Sequence, residues 1–401
     1  MKPLTVLCIA SYQKGEEFMR ECKRQGCRTL LLTSQSIADG PWPMESLDEI
    51  YLVPDEDKVW NMEDAIKGVS YLARTEQIDK IVPLDDFDLE KASTLREHLR
   101  VPGMGDTTTR YFRDKLAMRV QARDAGIPVP DFVHVLNYER MKEYMARVPS
   151  PWLLKPRSEA SATGIKFVHK SEELWKILDE LGDKQSFFVM ERYVAGDIYH
   201  VDSIVWDSEV IFAISNKYGK PPLDVAHGGG VFTTATVEYD SDKEQALNSL
   251  NHDVLKAMGL RAGVSHTEFI HSHEDGKFYF METSARVGGA HIAELNEAAS
   301  GINLWSEWAK IEACTKEKKY ELPEVRKDYT GLLVSLSKQE HPDTSAYNDS
   351  EIVWRMNKRH HAGLILSSPN HQRVDELLNE YTTRFANDFM AIQPPRDKPT
   401  D

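Results

Sequence analysis

Short apolar runs alternate with amphipathic stretches through the first hundred residues, and few folds accept that rhythm. Leu4-Thr-Val-Leu-Cys-Ile-Ala10, Thr29-Leu-Leu-Leu-Thr33, Ile50-Tyr-Leu-Val53 and Lys80-Ile-Val-Pro-Leu84 read as strands. Helices are expected between them: from the first strand to about Gln25, from about Met62 to Thr75, and near Asp88–Leu99. A strand covered on both faces has no polar side to alternate with, so such runs point to a doubly wound parallel sheet. The turn after the first strand, Ser11-Tyr-Gln-Lys-Gly15, lacks G-x-G-x-x-G, and a dinucleotide site is unsupported. Asp85 and Asp86 follow a strand end, where open α/β sheets place ligands. Acids favoured by a helix N-terminus are the preferred reading there.

Val101-Pro-Gly-Met-Gly105 interrupts the alternation and marks a boundary. A basic helix carrying Arg110, Arg113, Lys115, Arg119 and Arg123 follows, expected on the solvated surface. Beyond the strand Trp152-Leu-Leu-Lys155-Pro lies Arg157-Ser158-Glu-Ala-Ser161-Ala-Thr163-Gly164. Its small and hydroxylated residues let backbone N–H groups approach phosphate oxygens, although it is not a Walker A loop. Phe187-Phe-Val-Met-Glu191-Arg-Tyr-Val194-Ala-Gly196-Asp197 offers an apolar strand, an acid at its end and a second acid after a short connector. An adenosine needs backbone hydrogen bonds, an apolar sandwich and a carboxylate for its ribose, and this segment has all three.

The densest chemistry lies in Phe278-Tyr-Phe-Met-Glu282-Thr-Ser284-Ala-Arg286-Val-Gly288-Gly289, with Thr267-Glu268-Phe269 upstream. In an extended segment Glu282, Ser284 and Arg286 share one side. Asp275-Gly276 is a strong turn signal. A turn centred on residue 275 sets Glu268 opposite Glu282, with Cβ atoms roughly 4.5–5.5 Å apart. Magnesium combines one or two carboxylates with substrate phosphates, and arginine meets phosphate or carboxylate with a bidentate fork. His266 neighbours the metal strand, as a substrate-orienting or a structural histidine, and the flexible Ala226-His227-Gly-Gly-Gly230 run is a possible wall of an acceptor pocket.

In order, Asp114-Lys115, Leu154-Lys155-Pro with its small-residue loop, Glu191-x-Tyr-Val194-x-Gly196-Asp197, Glu268, and Glu282-x-Ser284-x-Arg286-x-Gly-Gly together resemble the ATP-grasp superfamily. The likeness is greatest to its carboxylate–amine (amino-acid) ligase branch and covers essentially the whole chain. It implies an N-terminal α/β unit at 1–105, a small lobe at 106–192 and a large lobe with its C-terminal extension at 193–395. The two lobes would clasp ATP and magnesium, with manganese an alternative ion. By the same resemblance Lys115 and Lys155 contact phosphates, and the loop with Ser158, Ser161, Thr163 and Gly164 closes over them. Glu191 and Val194 would bind adenine, the latter through backbone, and Asp197 the ribose. Glu268, Glu282 and Ser284 would hold the metal, and Arg286, catalytic with Lys155, would face phosphate and acyl group. Family members commonly carry asparagine where Ser284 stands, and proline where Ala285 stands. The implied activity is ADP-forming ligation of a carboxylate to an amine through an acyl phosphate. Bicarbonate-using or purine-biosynthetic enzymes and a non-catalytic ATP sensor are the alternatives.

Among 401 residues acids exceed bases, 64 against 49, giving a formal charge of −15, which argues against a nucleic-acid partner. Cys8, Cys22, Cys27 and Cys314 form no zinc or redox pattern, so buried thiols are expected. No apolar run reaches the roughly 20 residues that span a bilayer, and Met1-Lys-Pro leads into a strand with no signal-peptide pattern. A cytoplasmic protein acting on small-molecule carboxylate and amine substrates is expected, with a homodimer as a possible assembly. Pro394–Asp401 reads as a loose tail.

Overall fold

The computed structural model describes residues 2–159, 163–221, 225, 229–315 and 318–391. The tail expected at Pro394–Asp401 lies outside them. In chain order come β1 (Thr5–Ala10), β2 (Arg28–Ser34), β3 (Glu49–Val53), a small hairpin of β4 (Asp55–Glu56) and β5 (Val59–Trp60), and β6 (Lys80–Pro83). The first, second, third and sixth form a parallel sheet in the order β3-β2-β1-β6. Leu7, Ile9, Leu30 and Leu32 face one way, onto Ala65 and Val69 of helix Met62–Leu72 and Ala92 and Leu95 of helix Leu89–Leu99. Val6, Cys8, Ala10 and Leu31 face the other way, onto Phe18, Met19 and Cys22 of helix Glu16–Arg24. Two apolar faces explain why these strands do not alternate. The second face continues into helix Leu304–Glu312, where Trp308 meets Phe18 edge-on at 5.2 Å between ring centroids. The N-terminal sheet therefore shares its core with the rest of the chain. The four cysteines are free thiols, and Cys8, Cys22 and Cys27 are buried.

The single basic helix expected after residue 105 is two helices, Asp106–Arg110 and Lys115–Asp124. Asp114 restarts the helix by accepting from the backbone N–H groups of Leu116 and Ala117, which would otherwise lack partners. Nor is the segment solvated throughout: Arg110 and Arg123 are exposed as expected, but Arg113 and Arg119 are buried.

Next come β7 (Phe132–His134), β8 (Trp152–Pro156), β9 (Lys166–Val168) and β10 (Phe188–Arg192). They pair antiparallel in the order β7-β10-β8-β9. Leu154 and Met190 point into a core with Met141 and Tyr144 of helix Tyr138–Arg147 and Leu174 and Leu178 of helix Ser171–Leu181. With period two, Lys155 and Glu191 take the opposite face.

The largest sheet contains β11 (Gly196–Trp206), β12 (Glu209–Tyr218), β13 (Phe232–Thr236), β14 (Gly263–Ser272), β15 (Phe278–Ser284), β16 (Tyr329–Leu336), β17 (Ile352–Arg355) and β18 (His361–Ser368). It is antiparallel, ordered β15-β14-β11-β12-β13-β16-β18-β17. Leu247, Val254 and Leu255 of helix Asp242–Met258 cover Tyr199, Val201 and Phe269 on one face. On the other face His200, Asp202, His266 and Glu268 form a polar centre, flanked by Ile198 and Ile270 at one end and by Ile204 and Val264 at the other. Among the described residues no helix is long and apolar enough to cross a membrane.

The turn of the β14–β15 hairpin closes with Ser272 N–H on the Lys277 carbonyl at 2.9 Å, and Gly276 adopts φ 68°. Its first pairs are His271 with Phe278, Ile270 with Tyr279 and Phe269 with Phe280, so the turn is centred between residues 274 and 275, half a residue before the expected centre. A bulge at Met281 then advances the register by one, and Glu268 stands opposite Glu282 after all.

Candidate active site

Glu268 and Glu282 meet at the end of this hairpin nearest the N-terminal sheet. Glu268 is held by the Tyr218 hydroxyl at 2.9 Å, and His266 Nε2 lies 3.6 Å from the same oxygen. Burial works against its charge, but His266 and Tyr218 keep its carboxyl below the usual range. Glu282 is half-exposed, and its Oε2 lies 2.7 Å from Lys115 Nζ. The same ammonium donates to the Glu159 carbonyl at 2.7 Å, so Lys115 ties the hairpin to the start of the small-residue loop. Asp114 reinforces that junction by accepting from Arg157 Nε at 3.0 Å.

Lys155 lies 2.9 Å from Oε2 of Glu191, whose Oε1 is 3.0 Å from Arg119 Nε. Burial would raise the Glu191 carboxyl, but Arg119 and Lys155 outweigh it and bring it down to about 2. Arg119 also donates through Nη1 to the carbonyl of Met281, the bulge residue. One guanidinium thus links the bulge of the large sheet to the charged face of the small one. The Glu191 carboxylate is engaged by two cations, and its backbone lies between Phe132 of β7 and Leu153 of β8.

In the connector between β10 and β11, Val194 joins an apolar cluster with Ile198, Ile270, Tyr279 and Met281. Asp197 is half-exposed and 2.8 Å from Lys217 Nζ. Ser158 and Thr163 are half-buried and Gly164 is exposed. Gly164 has φ 71°, and a Cβ there would sit 2.9 Å from Pro156 Cγ, so the loop's exit requires glycine. Ser161 and His227 lie outside the described residues.

Alternation places His200 and Asp202 of β11 on the face that His266 and Glu268 of β14 share, with His200 opposite Glu268 and Asp202 opposite His266. Asp202 receives His200 Nδ1 at 2.7 Å on one oxygen and His266 Nδ1 at 2.9 Å on the other. His200 Nε2 meets the Thr234 hydroxyl at 2.8 Å. Burial lowers His200 and so favours its neutral ring. Burial also opposes a charge on His266, yet Asp202 and Glu268 raise it to about 9. Although two imidazoles and a carboxylate could hold a metal, each ring nitrogen facing Asp202 is already paired through a hydrogen. A relay from Thr234 to Glu268 describes them better.

Asp85 and Asp86 divide the roles that one reading had assigned to both. Asp85 is the cap, accepting from Phe87 N–H at 3.1 Å and pairing with Lys14. Asp86 instead leaves the N-terminal unit: Oδ1 accepts from the Ser284 hydroxyl, and Oδ2 from Arg286 Nε at 2.9 Å and from Nη2. Burial would raise its carboxyl, but Arg286, Arg113 and Ser284 hold it well below the usual range. Sequence reasoning missed Asp86, Arg119, Asp202 and Tyr218 as members of this site. Alternation along β11 was a usable signal for Asp202, and the strand-end position one for Asp86, read instead as a cap; no local pattern marks Arg119 or Tyr218.

The oxygen donors of Glu268, Glu282 and Ser284 suit a hard divalent cation such as magnesium. Lys115 beside Glu282 and His266 beside Glu268 offset the repulsion of two carboxylates in register.

Residues 148–294 match the family model of the ATP-grasp domain. An L-arginine-specific L-amino acid ligase of Bacillus subtilis is 25% identical over 265 residues, which are 64% of this chain and 62% of that protein. The chain thus spans less than two thirds of that relative. Among solved structures, an L-amino acid ligase from Bacillus licheniformis superimposes with a TM-score of 0.75 at 16% identity, covering 98% of this chain and 99% of that one. The biotin carboxylase domain of a Hydrogenobacter thermophilus 2-oxoglutarate carboxylase, solved with MgADP and bicarbonate, gives 0.72 at 16% identity, covering 95% and 90%.

Proposed function

We propose, from the ATP-grasp domain match over residues 148–294, that this chain is an ATP-dependent ligase joining a carboxylate, such as that of an amino acid, to an amine. The observation that carries this reading is the convergence on one hairpin of Glu268, Glu282, Ser284 and Arg286, with Lys115 reaching Glu282 at 2.7 Å. Such a set fits the oxygens of a polyphosphate and of an acyl group being phosphorylated.

A carboxylate is a poor acyl donor because its leaving group would be oxide. Attack of a carboxylate oxygen on the γ-phosphorus, with departure of ADP, gives an acyl phosphate. An amine then attacks the acyl carbon, inorganic phosphate departs, and the nitrogen loses its proton to leave an amide. Lys155 and Lys115 bind and orient phosphate oxygens, and Arg286 meets the charge that spreads over the transferred group. Glu268, Glu282 and the Ser284 oxygen would hold magnesium, or manganese in its place; when bound, the ion offsets phosphate charge. Val194, Ile198, Ile270 and Met281 form an apolar wall for the base, and Asp197 suits ribose hydroxyls. Exclusion of water, which would otherwise hydrolyse the acyl phosphate, would fall to the segment that Ser158 and Gly164 bound.

The test is a screen for ADP and phosphate release across amino acids, hydroxy acids and bicarbonate, each with and without an amine. Magnesium-dependent release of ADP that needs both substrates is the expected result. AMP and pyrophosphate as products would remove the acyl-phosphate route.

A further inference from the structure

We propose that Asp86, carried by the N-terminal unit, is the positioning residue that sets both Arg286 and Ser284 for the reaction, so that the catalytic centre is incomplete without that unit. The proposal rests on the ligase reading of the site and concerns a residue outside the ATP-grasp match.

Three aspartates follow β6, and two are used within their own unit. Asp85 caps the turn and pairs with Lys14. Asp88 accepts from the backbone and hydroxyl of Ser11 and from Lys91. Asp86 alone reaches across to the large sheet, where it is buried against Ser284 and Arg286.

A guanidinium has five N–H bonds. In Arg286, Nε and one Nη2 hydrogen go to Asp86, and one Nη1 hydrogen goes to the Val287 carbonyl at 2.8 Å. One hydrogen remains on each terminal nitrogen, which is the end-on fork that grips two oxygens of a phosphate or carboxylate. Asp86 thereby fixes the fork's direction while leaving it unused.

The effect on Ser284 is of a different kind. A hydroxyl has one hydrogen and two lone pairs. Because that hydrogen is donated to Asp86, the Oγ lone pairs are the part left for a cation or its bound water. Serine is shorter than the asparagine common in the family, and the fixed rotor sets the direction of its lone pairs without adding reach.

Arg113 supports the arrangement from the other side. It is buried, its guanidinium lies 4.6 Å from the centroid of the Phe87 ring, and its Nε has no hydrogen-bond partner among the described residues. Its positive charge also acts on Asp86, whose direct partners are Arg286 and Ser284.

The test uses Asp86→Asn, Ser284→Ala and the double variant of the full chain. Two readouts apply: magnesium titration of binding of a fluorescent ATP analogue, and kcat with the KM for ATP. Asp86→Asn should raise the magnesium requirement and lower kcat, each by about tenfold, the lower end of what one charge-assisted hydrogen bond contributes. The KM for ATP at saturating magnesium should hold, because base and ribose contacts lie elsewhere. Adding Asp86→Asn to Ser284→Ala should raise the magnesium requirement little further, since the two act through one hydroxyl. Asp86→Glu, which restores the charge, should recover part of both losses and replaces Asp86→Asn if that variant does not fold.

A magnesium requirement that stays within about twofold of wild type in Asp86→Asn overturns the proposal. Effects of Asp86→Asn and Ser284→Ala on the magnesium requirement that simply multiply also overturn it. A wild-type protein that binds nucleotide with magnesium but forms no ADP with any substrate pair defeats the ligase reading instead. The binding titration still judges Asp86 in that case.

Discussion

Lys155 Nζ lies 2.9 Å from Oε2 of Glu191, and both side chains are almost fully buried. Arg119 completes the cluster at 3.0 Å from the other carboxylate oxygen. Two cations around one anion leave a net positive charge facing the site, which is what a triphosphate requires. Lys155→Ala should therefore weaken ATP binding by roughly 10- to 150-fold, the equivalent of a charge-assisted bond worth about 1.5–3 kcal/mol. Equilibrium titration with ATP measures it. Wild-type affinity would mean that the triphosphate lies elsewhere.

Glu191→Gln strands two buried cations, and removing one partner of a buried pair costs about 3–5 kcal/mol. The wild-type carboxyl is depressed from 4.5 to about 2. A depressed acid contributes stability that is complete above its unfolded value and is lost as pH falls through its folded value. Thermal melts should thus show a wild-type loss between pH 4.5 and about 2 that shrinks in Glu191→Gln. An equal acid-side loss in both proteins would assign it to other carboxylates.

Glu268 and Glu282 stand in register with the Met281 bulge between them and the rest of the hairpin. Glu268→Gln and Glu282→Gln should each raise the magnesium concentration needed for turnover by at least about tenfold, since on the proposed assignment each removes a charged metal ligand. Ser284→Ala, which removes a neutral oxygen, should cost less than either. A magnesium titration of the three variants decides it, and unchanged dependence in both glutamate variants would sink the metal assignment.

Gly288 lies over the relay beside Glu268. A Cβ at this position would be 2.9 Å from Asp202 Oδ1 and 3.0 Å from His266 Nδ1, two atoms already locked to one another. Gly288→Ala should cost about 1–3 kcal/mol, as overpacking does, and should lower kcat more than it alters the KM for ATP. Chemical denaturation with steady-state kinetics reads both. An unperturbed variant would show that the relay yields easily.

Much of this architecture is legible locally because it obeys short-range rules. Continuous apolar runs in the first hundred residues dictate a sheet covered on both faces, and alternation in Leu153–Lys155 and Val189–Glu191 sends lysine and glutamate to one side. The Glu268–Glu282 pair also follows from counting about Asp275-Gly276, although the hairpin reaches it by a turn half a residue earlier and a bulge one residue long. Two offsets compensate, and only the folded hairpin reveals them.

What the sequence determined by itself is therefore chemistry and period: which residues can ligate, donate or bury, and which face of an element they take. Tertiary structure decided the pairings. Ser284 and Asp86 are 198 residues apart, and Arg119 reaches a carbonyl 162 residues away. Contacts at such separations leave no trace in local periodicity, because they depend on how whole sheets dock. Arg119 read as a surface charge and Asp86 as a helix cap for that reason. Each is buried against an opposite charge or a backbone acceptor contributed by a distant element, and only that partner makes its burial affordable.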